Sequence, residues 1–146
     1  MTKTRKTRPA REQGFTLVEL MVVIVIIGLL ATVVMVNVLP SQDKAMREKA
    51  RADVSVLEQA VETYRLDNFA FPTNQQGLAA LTAPPADLAR PDRYREGGYI
   101  RRLPQDPWGA PYQYAFPGEH GRIDIYSFGA DGAKGGEGEN ADIGNW

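Results

Sequence analysis

The feature that most constrains this chain is an uncharged apolar run near its N-terminus. From Leu20 to Leu39, twenty residues carry no charge, and only Gly28, Thr32 and Asn37 interrupt the apolar pattern. Twenty helical residues extend roughly 30 Å, which matches the thickness of a bilayer core. The run exceeds the ~7–15 residues of a signal-peptide core, and Pro40 follows it rather than a small-residue cleavage site. The sequence therefore predicts a transmembrane helix that stays attached.

Charge is unevenly distributed along the chain. The first fourteen residues hold five Lys or Arg and one Glu, a formal charge of +4, so the total of −1 leaves −5 for the remainder. A basic segment before an apolar run is typical of the cytoplasmic flank of a membrane helix. The basic residues have no aromatic side chains between them and the body is acidic, so nucleic acid is not expected as a partner.

Beyond Pro40 the apolar run gives way to the spacing of an amphipathic helix. Six apolar residues recur at intervals of four, four, three, four and three, with charged residues between them. The six are Met46, Ala50, Val54, Leu57, Val61 and Tyr64. This spacing predicts a helix over residues 41–67 with one buried face. Ser41 or Asp43 could cap its start, but we expect one long, bent helix that continues through Pro40.

A loop-rich segment follows the helix and precedes two strand patterns. Proline and glycine recur between residues 72 and 111, and a short helix is predicted from Gln76 to Leu81. The alternating pattern of a β-strand occurs from Tyr112 to Phe116 and again from Arg122 to Ser127. A five-residue turn joins the two runs. The sequence therefore predicts an antiparallel hairpin.

The tail from Gly129 to Trp146 is glycine-rich and acidic, a composition typical of disordered segments. Its Ile143 and Trp146 nevertheless predict that the tail docks on the domain. The single histidine, His120, falls in the predicted turn, and no cysteine or serine motif accompanies it. We therefore expect a surface histidine and no catalytic machinery.

The segment from Gly14 to Leu20 has the form of a processing signal. A glycine at the boundary between charged leader and apolar helix lets an extended backbone enter a protease cleft, and a cut there would expose a new amine on Phe15. Glu19, the lone carboxylate at the membrane end, costs about 2.5–3.5 kcal/mol to place in a bilayer. It would find a partner if neighbouring chains stacked with an axial offset and presented that amine. Alternatively, the Glu19 side chain could lie at the level of the lipid headgroups, where its charge would need no partner subunit.

Oxygen-bearing side chains crowd the glycine-rich tail. They are Asp131, Glu137, Glu139, Asn140 and Asp142. Ca²⁺ takes 6–8 oxygen ligands in flexible geometry, which suits such a loop. The loop is not an EF-hand, because Ala133 and Gly135 stand where side-chain oxygens are required. A solvated acidic loop is the alternative.

The segment from Gly14 to Glu19 resembles the prepilin signature shared by type IV pilins and type II secretion pseudopilins. Several body segments resemble the major pseudopilin family in particular. They are Leu66–Asn68, Phe71–Thr73, Gln76–Leu78, Gly98–Ile100, Leu103–Gly109 and Ala141–Trp146. The resemblance implies an α+β, type IV pilin-like fold. In it a long N-terminal helix, half transmembrane and half amphipathic, packs on a small antiparallel sheet with a calcium-binding C-terminal loop.

The resemblance also implies how the chain is processed and divided. Residues 1–14 would be a cytoplasmic leader that an inner-membrane prepilin peptidase removes between Gly14 and Phe15, methylating the new amine. Residues 15–40 would cross the inner membrane once and drive polymerisation, with Glu19 in the family's assembly role. Residues 41–146 would form a periplasmic domain.

The function implied by the resemblance is structural. The subunit would polymerise into the periplasmic pseudopilus of the type II secretion system, which drives export of folded proteins across the outer membrane. Its partners would be copies of itself, minor pseudopilins, the prepilin peptidase, an inner-membrane assembly platform and the secreted exoproteins. It would not be an enzyme.

The calcium ligands implied by the resemblance are the Phe128 carbonyl, Asp131 and Asp142. Relatives carry two adjacent aspartates where this chain has Ala141 and Asp142, so Asn140 is expected to supply the missing oxygen. A second departure is Val36, where many members carry a proline that kinks the helix.

Two other functions are compatible with an anchored chain of this kind. A type IV pilin is one, but such pilins usually close their C-terminal region with a disulfide, and this chain has no cysteine. A membrane-tethered periplasmic enzyme or carrier is the other, and its helix would serve only as an anchor.

Overall fold

The structure, a computed structural model, describes residues 14–146, and for residues 36–41 the backbone alone. The leader predicted over residues 1–14 therefore lies outside the described residues except for Gly14. The described chain begins with a long helix, α1 (Leu17–Asn68). Short 3-10 helices cover Gly77–Leu81, Pro91–Arg93 and Gly138–Asn140, and the strands are β1 (Gln113–Ala115), β2 (Asp124–Ser127) and β3 (Ile143–Gly144).

Helix α1 spans 52 residues, and its backbone is helical through Pro40. The prediction of a single long helix is therefore confirmed, and neither Ser41 nor Asp43 begins a separate one. The described chain divides into two compact units, one ending at Pro40 and the other covering Ser41–Trp146.

The first unit contains an apolar stretch of α1, Leu17–Met35, with a mean hydropathy of 2.9 over 19 residues. By length and composition it can cross a membrane. Thr32 does not break the apolar surface, because its hydroxyl donates to the Gly28 carbonyl oxygen at 2.9 Å. A hydroxyl satisfied within its own helix is compatible with a lipid environment.

The second unit begins with the amphipathic part of α1. Five of the six predicted face residues are buried, namely Ala50, Val54, Leu57, Val61 and Tyr64, and Met46 is half-buried. Ion pairs one turn apart join charged side chains outside this face, as Lys49 with Asp53 at 2.8 Å. The predicted buried face is therefore confirmed, since 3.6-residue periodicity decides which side of the helix leaves water.

The three strands form one antiparallel sheet in the order β1-β2-β3. Tyr114 pairs with Ile125 and Ser127 pairs with Ile143. The predicted hairpin is present, but both strands are shorter than predicted. β2 begins at Asp124 rather than Arg122, because the Asp124 carboxylate binds backbone amides of the preceding turn. β3 was not predicted as a strand.

One hydrophobic cluster joins α1, the first 3-10 helix and the sheet. It includes Leu57 and Val61 from α1, Leu81 from the first 3-10 helix, and Tyr112 and Ile125 from the hairpin region. Ile123, Ile125 and Ser127 alternate along the second hairpin strand, and all three are buried.

A buried carboxylate organises the segment that precedes β1. Asp106 accepts hydrogen bonds from the backbone amides of Trp108 and Ala110 at 3.1 and 2.7 Å, and from the Ser127 hydroxyl. These bonds explain the Asp-Pro-Trp-Gly sequence, because its turn aims two amides at the aspartate. The Trp108 side chain in this turn is half-buried.

Adjacent residues on α1 test the packing of the second unit. We expect Leu57→Ala to lower the free energy of unfolding by about 2–5 kcal/mol, because Leu57 is fully buried in the cluster. Val56→Ala, at a side chain 56% exposed, should change it by no more than about 0.5 kcal/mol. Thermal unfolding of the detergent-solubilised chain measures the stability of both variants. Equal losses of stability would contradict the assignment of Leu57 to the buried face of α1.

Candidate functional site

The N-terminal part of the candidate site begins at Gly14 and Phe15. Both residues are exposed, and the Phe15 side chain is 83% exposed. A Cβ atom added at Gly14 would meet no other described atom within 4 Å. The described fold therefore does not require glycine at this position, and a requirement for a small residue would have to come from outside the folded chain.

Glu19 and Thr16 form a capping box at the start of α1. The Thr16 amide donates to Glu19 Oε2 at 3.0 Å, and the Glu19 amide donates to Thr16 Oγ1 at 3.2 Å. The Thr16 hydroxyl also donates to Glu19 Oε2, at 3.2 Å. This reciprocal pair satisfies backbone donors that a helix N-terminus otherwise leaves without partners.

The capping box changes the interpretation of Glu19. Glu19 has a partner within its own chain that its charge alone does not reveal, although the pattern Thr-x-x-Glu is the recognised sequence signal for a capping box. All its bonds within the described residues go to Oε2, which leaves Oε1 available to another donor. The carboxylate also lies at the positive end of the helix dipole, where a negative charge is stabilised.

The C-terminal part of the candidate site is the loop between β2 and β3, residues 128–142. Residues 130–140 are all exposed, so apolar burial does not hold them in place. Instead the loop folds tightly on itself at two glycines. Gly129 has φ +74° and a Cβ there would lie 3.1 Å from the Ala141 carbonyl oxygen, while one at Gly136, φ +83°, would overlap the Asn140 carbonyl oxygen. Glycine is required at both positions.

Asp142 lies at the closed end of this loop. Its Oδ2 accepts a hydrogen bond from the Gly135 amide at 2.9 Å, and its own amide donates to the Gly135 carbonyl at 3.1 Å. Its other carboxylate oxygen, Oδ1, is buried and accepts no hydrogen bond from the described residues. A buried acceptor without a donor is costly, so this oxygen is suited to binding a cation.

The other predicted ligands occupy different parts of the loop. The contacts at Gly129 bring the backbone next to Phe128 close to Asn140 and Ala141. Asp131 lies on the exposed outer part, where its Oδ1 accepts a bond from the Ala133 amide at 3.1 Å. The structure therefore brings Phe128, Asn140 and Asp142 to one end of the loop, and no described contact joins Asp131 to them.

The oxygen atoms of this loop suit calcium better than a softer metal. Between residues 14 and 146, no three His, Cys, Asp or Glu side chains cluster closely enough to hold a metal ion. A bound ion would thus depend on backbone and amide oxygens as well as carboxylates, and Ca²⁺ accepts that mixture. The buried Asp142 Oδ1 is the observation in favour, so the residues present fit the ion implied by the resemblance.

Two basic side chains attach the loop to the rest of the second unit. Arg47 of α1 donates through one guanidinium nitrogen to the carbonyl oxygens of Glu139 and Ala141, at 3.2 and 3.1 Å. Lys134 pairs with Glu119 of the β1–β2 turn at 2.9 Å. This ion pair lowers the pKa of Glu119 and raises that of Lys134.

The β1–β2 turn is built around Asp124. Its buried carboxylate accepts bonds from the amides of Glu119, His120 and Gly121 and contacts His120 Nδ1 at 3.0 Å. Burial alone would raise the pKa of Asp124, but these hydrogen bonds, chiefly those from His120, outweigh burial and hold its pKa below the usual value. The His120 ring also stacks on Trp146, with ring centroids 3.8 Å apart. His120 is exposed, as expected, but it contacts both Asp124 and Trp146.

We expect Asp124→Asn to reduce the acid sensitivity of the fold. Because the folded pKa lies below the unfolded value of about 3.9, the carboxylate contributes stability that is present above about pH 4 and lost as pH falls through the folded pKa. The variant should be about 1–3 kcal/mol less stable at pH 7, with a smaller deficit at pH 3. Thermal unfolding between pH 3 and pH 7 measures the difference in stability between the variant and the wild-type chain. Asp92→Asn, at an exposed residue, is the control. A difference in stability that did not change with pH would contradict the lowered pKa of Asp124.

Two family models match the chain, one over its N-terminal segment and the other over the rest. The model for the prokaryotic N-terminal methylation motif matches residues 9–35, which include Gly14, Phe15 and Glu19. The model described as type II secretion system (T2SS), protein G matches residues 37–146, most of the chain.

Known relatives agree with these matches. Type II secretion system core protein G of Vibrio cholerae serotype O1 is 53% identical over 100% of this chain and 96% of its own length. The core protein G of Pseudomonas aeruginosa is 48% identical over 93% of this chain and 96% of its own. The crystal structure of the major pseudopilin from the type 2 secretion system of enterohaemorrhagic Escherichia coli, 49% identical, matches with a TM-score of 0.65, covering 75% of this chain and 94% of that chain.

An apolar N-terminal helix with a methylation motif, followed by a helix-and-sheet domain that matches a pseudopilin, defines a subunit of the pilin class. Its anchoring in a membrane is consistent with this class. Within the class, the chain belongs to the type II secretion system protein G family, and its function is that of a major pseudopilin of this system.

Proposed function

We propose that this major pseudopilin is made as a precursor, cut between Gly14 and Phe15 by an inner-membrane prepilin peptidase, and methylated on the new amine. It then polymerises through residues 15–40 into a periplasmic pseudopilus that drives export of folded proteins across the outer membrane. The match of residues 9–35 to the N-terminal methylation motif supports this processing most directly. The exposure of Gly14 and Phe15 is compatible with access by a protease.

The proposed location follows from charge and hydropathy. Leu17–Met35 would cross the inner membrane once, because this stretch has the length and composition of a membrane span. The basic residues before it would remain in the cytoplasm by the positive-inside rule, which directs residues 41–146 to the periplasm.

We propose that Glu19 acts in assembly through its second carboxylate oxygen. Cleavage would leave the Thr16 amide intact, so Thr16 could continue to bind Oε2. Oε1 would then accept the Phe15 amine of a neighbouring subunit in a charge-assisted bond. A pair in low dielectric fixes the register between subunits more than it adds net stability, because both charges must lose water.

The remaining partners are proposed from the same family membership. They are minor pseudopilins, an inner-membrane assembly platform and the secreted exoproteins. We also propose that the chain catalyses no reaction, since its role is to supply the fibre. Its single histidine contacts Asp124 and Trp146.

We further propose that residues 128–142 bind one calcium ion. The Phe128 carbonyl, Asp131, Asn140 and Asp142 would hold it, and the buried Asp142 Oδ1 supports the assignment. When bound, the ion would neutralise the acidic loop and hold a tail that has no disulfide to do so. Asp131 would have to approach the other ligands, because no described contact joins it to them.

Processing and assembly can be tested separately. Expressed with a prepilin peptidase, the wild-type chain should lose residues 1–14 and gain one methyl group, as measured by mass spectrometry of the intact protein. Gly14→Val should retain the leader, because the larger side chain hinders entry of the extended backbone into the protease cleft. An intact wild-type leader would contradict the proposal.

Glu19→Gln should be processed normally but fail to assemble. Loss of a charge-assisted bond of about 1.5–3 kcal/mol corresponds to a roughly 10- to 100-fold weaker subunit contact. Fibre yield by electron microscopy and secretion in a strain lacking its own major pseudopilin measure the effect. Glu48→Gln, at an exposed helix residue paired only with Arg51, is the matched control. Normal fibres from Glu19→Gln would contradict the assembly role.

The calcium proposal predicts a metal-dependent melting temperature. A ligand at 100 times its Kd stabilises the fold by about 2.7 kcal/mol, so chelation should lower the melting temperature of the wild-type chain. Asp142→Asn should lose most of this response because it removes a ligand charge, whereas exposed Asp87→Asn should keep it. Identical melting of the wild-type chain in calcium and in chelator would refute the site.

A further inference from the structure

Arg47 connects the amphipathic part of α1 with the loop of residues 128–142. It lies in the second turn after Ser41, and its partners are 92 and 94 residues away in sequence. Its guanidinium donates to the carbonyl oxygens of Glu139 and Ala141, which flank Asn140 on both sides. The bonds therefore fix the backbone immediately before and after a proposed calcium ligand.

The type of acceptor matters for a metal site. Among the described residues, Arg47 binds two carbonyl oxygens and no carboxylate, so it leaves the acidic side chains of the loop available to a cation. A carbonyl oxygen has two lone pairs, and one bond to Arg47 does not exhaust it. Bonds from an ionised donor are also stronger than neutral ones. Arg47 can therefore order the loop without competing for its carboxylates.

The second attachment of the loop is weaker. Lys134 and Glu119 are 66% and 69% exposed, and exposed ion pairs contribute little because water and salt screen them. The bond from Arg47 to Ala141 is partly buried. Residues 130–140 are exposed throughout, so they gain no hold from apolar packing. Arg47 is thus the stronger of these two side-chain attachments.

We propose that Arg47 is a positioning residue that orders the loop before calcium binds. By holding the carbonyls of Glu139 and Ala141, it presents Asn140 and Asp142, on either side of Ala141, at the closed end of the loop. Less conformational entropy is then lost when the ion binds, and calcium affinity is higher. The inference rests on the proposed calcium site for its effect on affinity, but the ordering itself requires no metal.

The test uses the full chain in detergent and three variants. Arg47→Gln removes the positive charge and shortens the side chain. Arg47→Lys keeps the positive charge and one donor group. Arg51→Gln, one turn further along α1, is the matched control, because among the described residues Arg51 bonds to Glu48 and has no bond to the loop. Hydrogen exchange of residues 135–142 in chelator is measured by mass spectrometry, and calcium affinity by titration calorimetry.

In chelator, Arg47→Gln should accelerate exchange across residues 135–142 about tenfold, and Arg51→Gln should match the wild-type chain. Arg47→Gln should also raise the calcium Kd about tenfold or more, and Arg47→Lys should restore part of both effects.

Unchanged exchange in Arg47→Gln would overturn the proposal, as would equal acceleration in Arg51→Gln. Faster exchange with an unchanged calcium Kd would also overturn it, because ordering would then not assist binding. If the wild-type chain bound no calcium, the proposed metal site would fail, and the exchange measured in chelator would still decide whether Arg47 orders the loop.

Discussion

The proposed assembly of this protein depends on one constraint, the need to satisfy the Glu19 carboxylate at the start of a helix long and apolar enough to cross a membrane. The capping box with Thr16 meets this need within the chain, since it gives Oε2 two donors and closes the helix N-terminus. It leaves Oε1 for a second partner. In the proposed assembly, the same carboxylate would bind the amine of the next subunit without breaking its own cap.

The second unit depends on polar groups that fix its C-terminal half, because no disulfide is possible in a chain without cysteine. Asp106 and Asp124 each bind several donors, and Asn145 joins the chain end to both sheet and helix. The Asn145 side chain accepts from the Ile125 amide at 3.0 Å and donates to Glu58 of α1 at 2.9 Å. Arg47 extends this arrangement to the loop. Hydrogen bonds to charged groups thus take the structural role that a covalent link has in other small domains.

The parts of the fold that periodicity encodes could be predicted, and the parts that depend on distant contacts could not. The buried face of α1, the hairpin and the docking of Ile143 follow from local patterns. β3 is only two residues long and exists because it pairs with β2, so its own sequence carries no strand signal. The charge of Glu19 in an apolar segment is visible in the sequence, whereas its bond to Thr16 depends on where the helix begins. Arg47 could not be distinguished by sequence from the other basic residues of α1, because its partners are carbonyl groups more than ninety residues away.

The central claim is that Glu19 binds the amine of a neighbouring subunit, and solid-state NMR of mixed fibres tests it most directly. Subunits labelled with ¹⁵N at Phe15 would be assembled with separate subunits labelled with ¹³C at the Glu19 carboxylate, so that any dipolar coupling between the labels arises between chains. The account predicts a strong coupling, corresponding to an amine nitrogen within about 4 Å of a carboxylate oxygen. Well-ordered fibres that show no coupling between these two labels would contradict it.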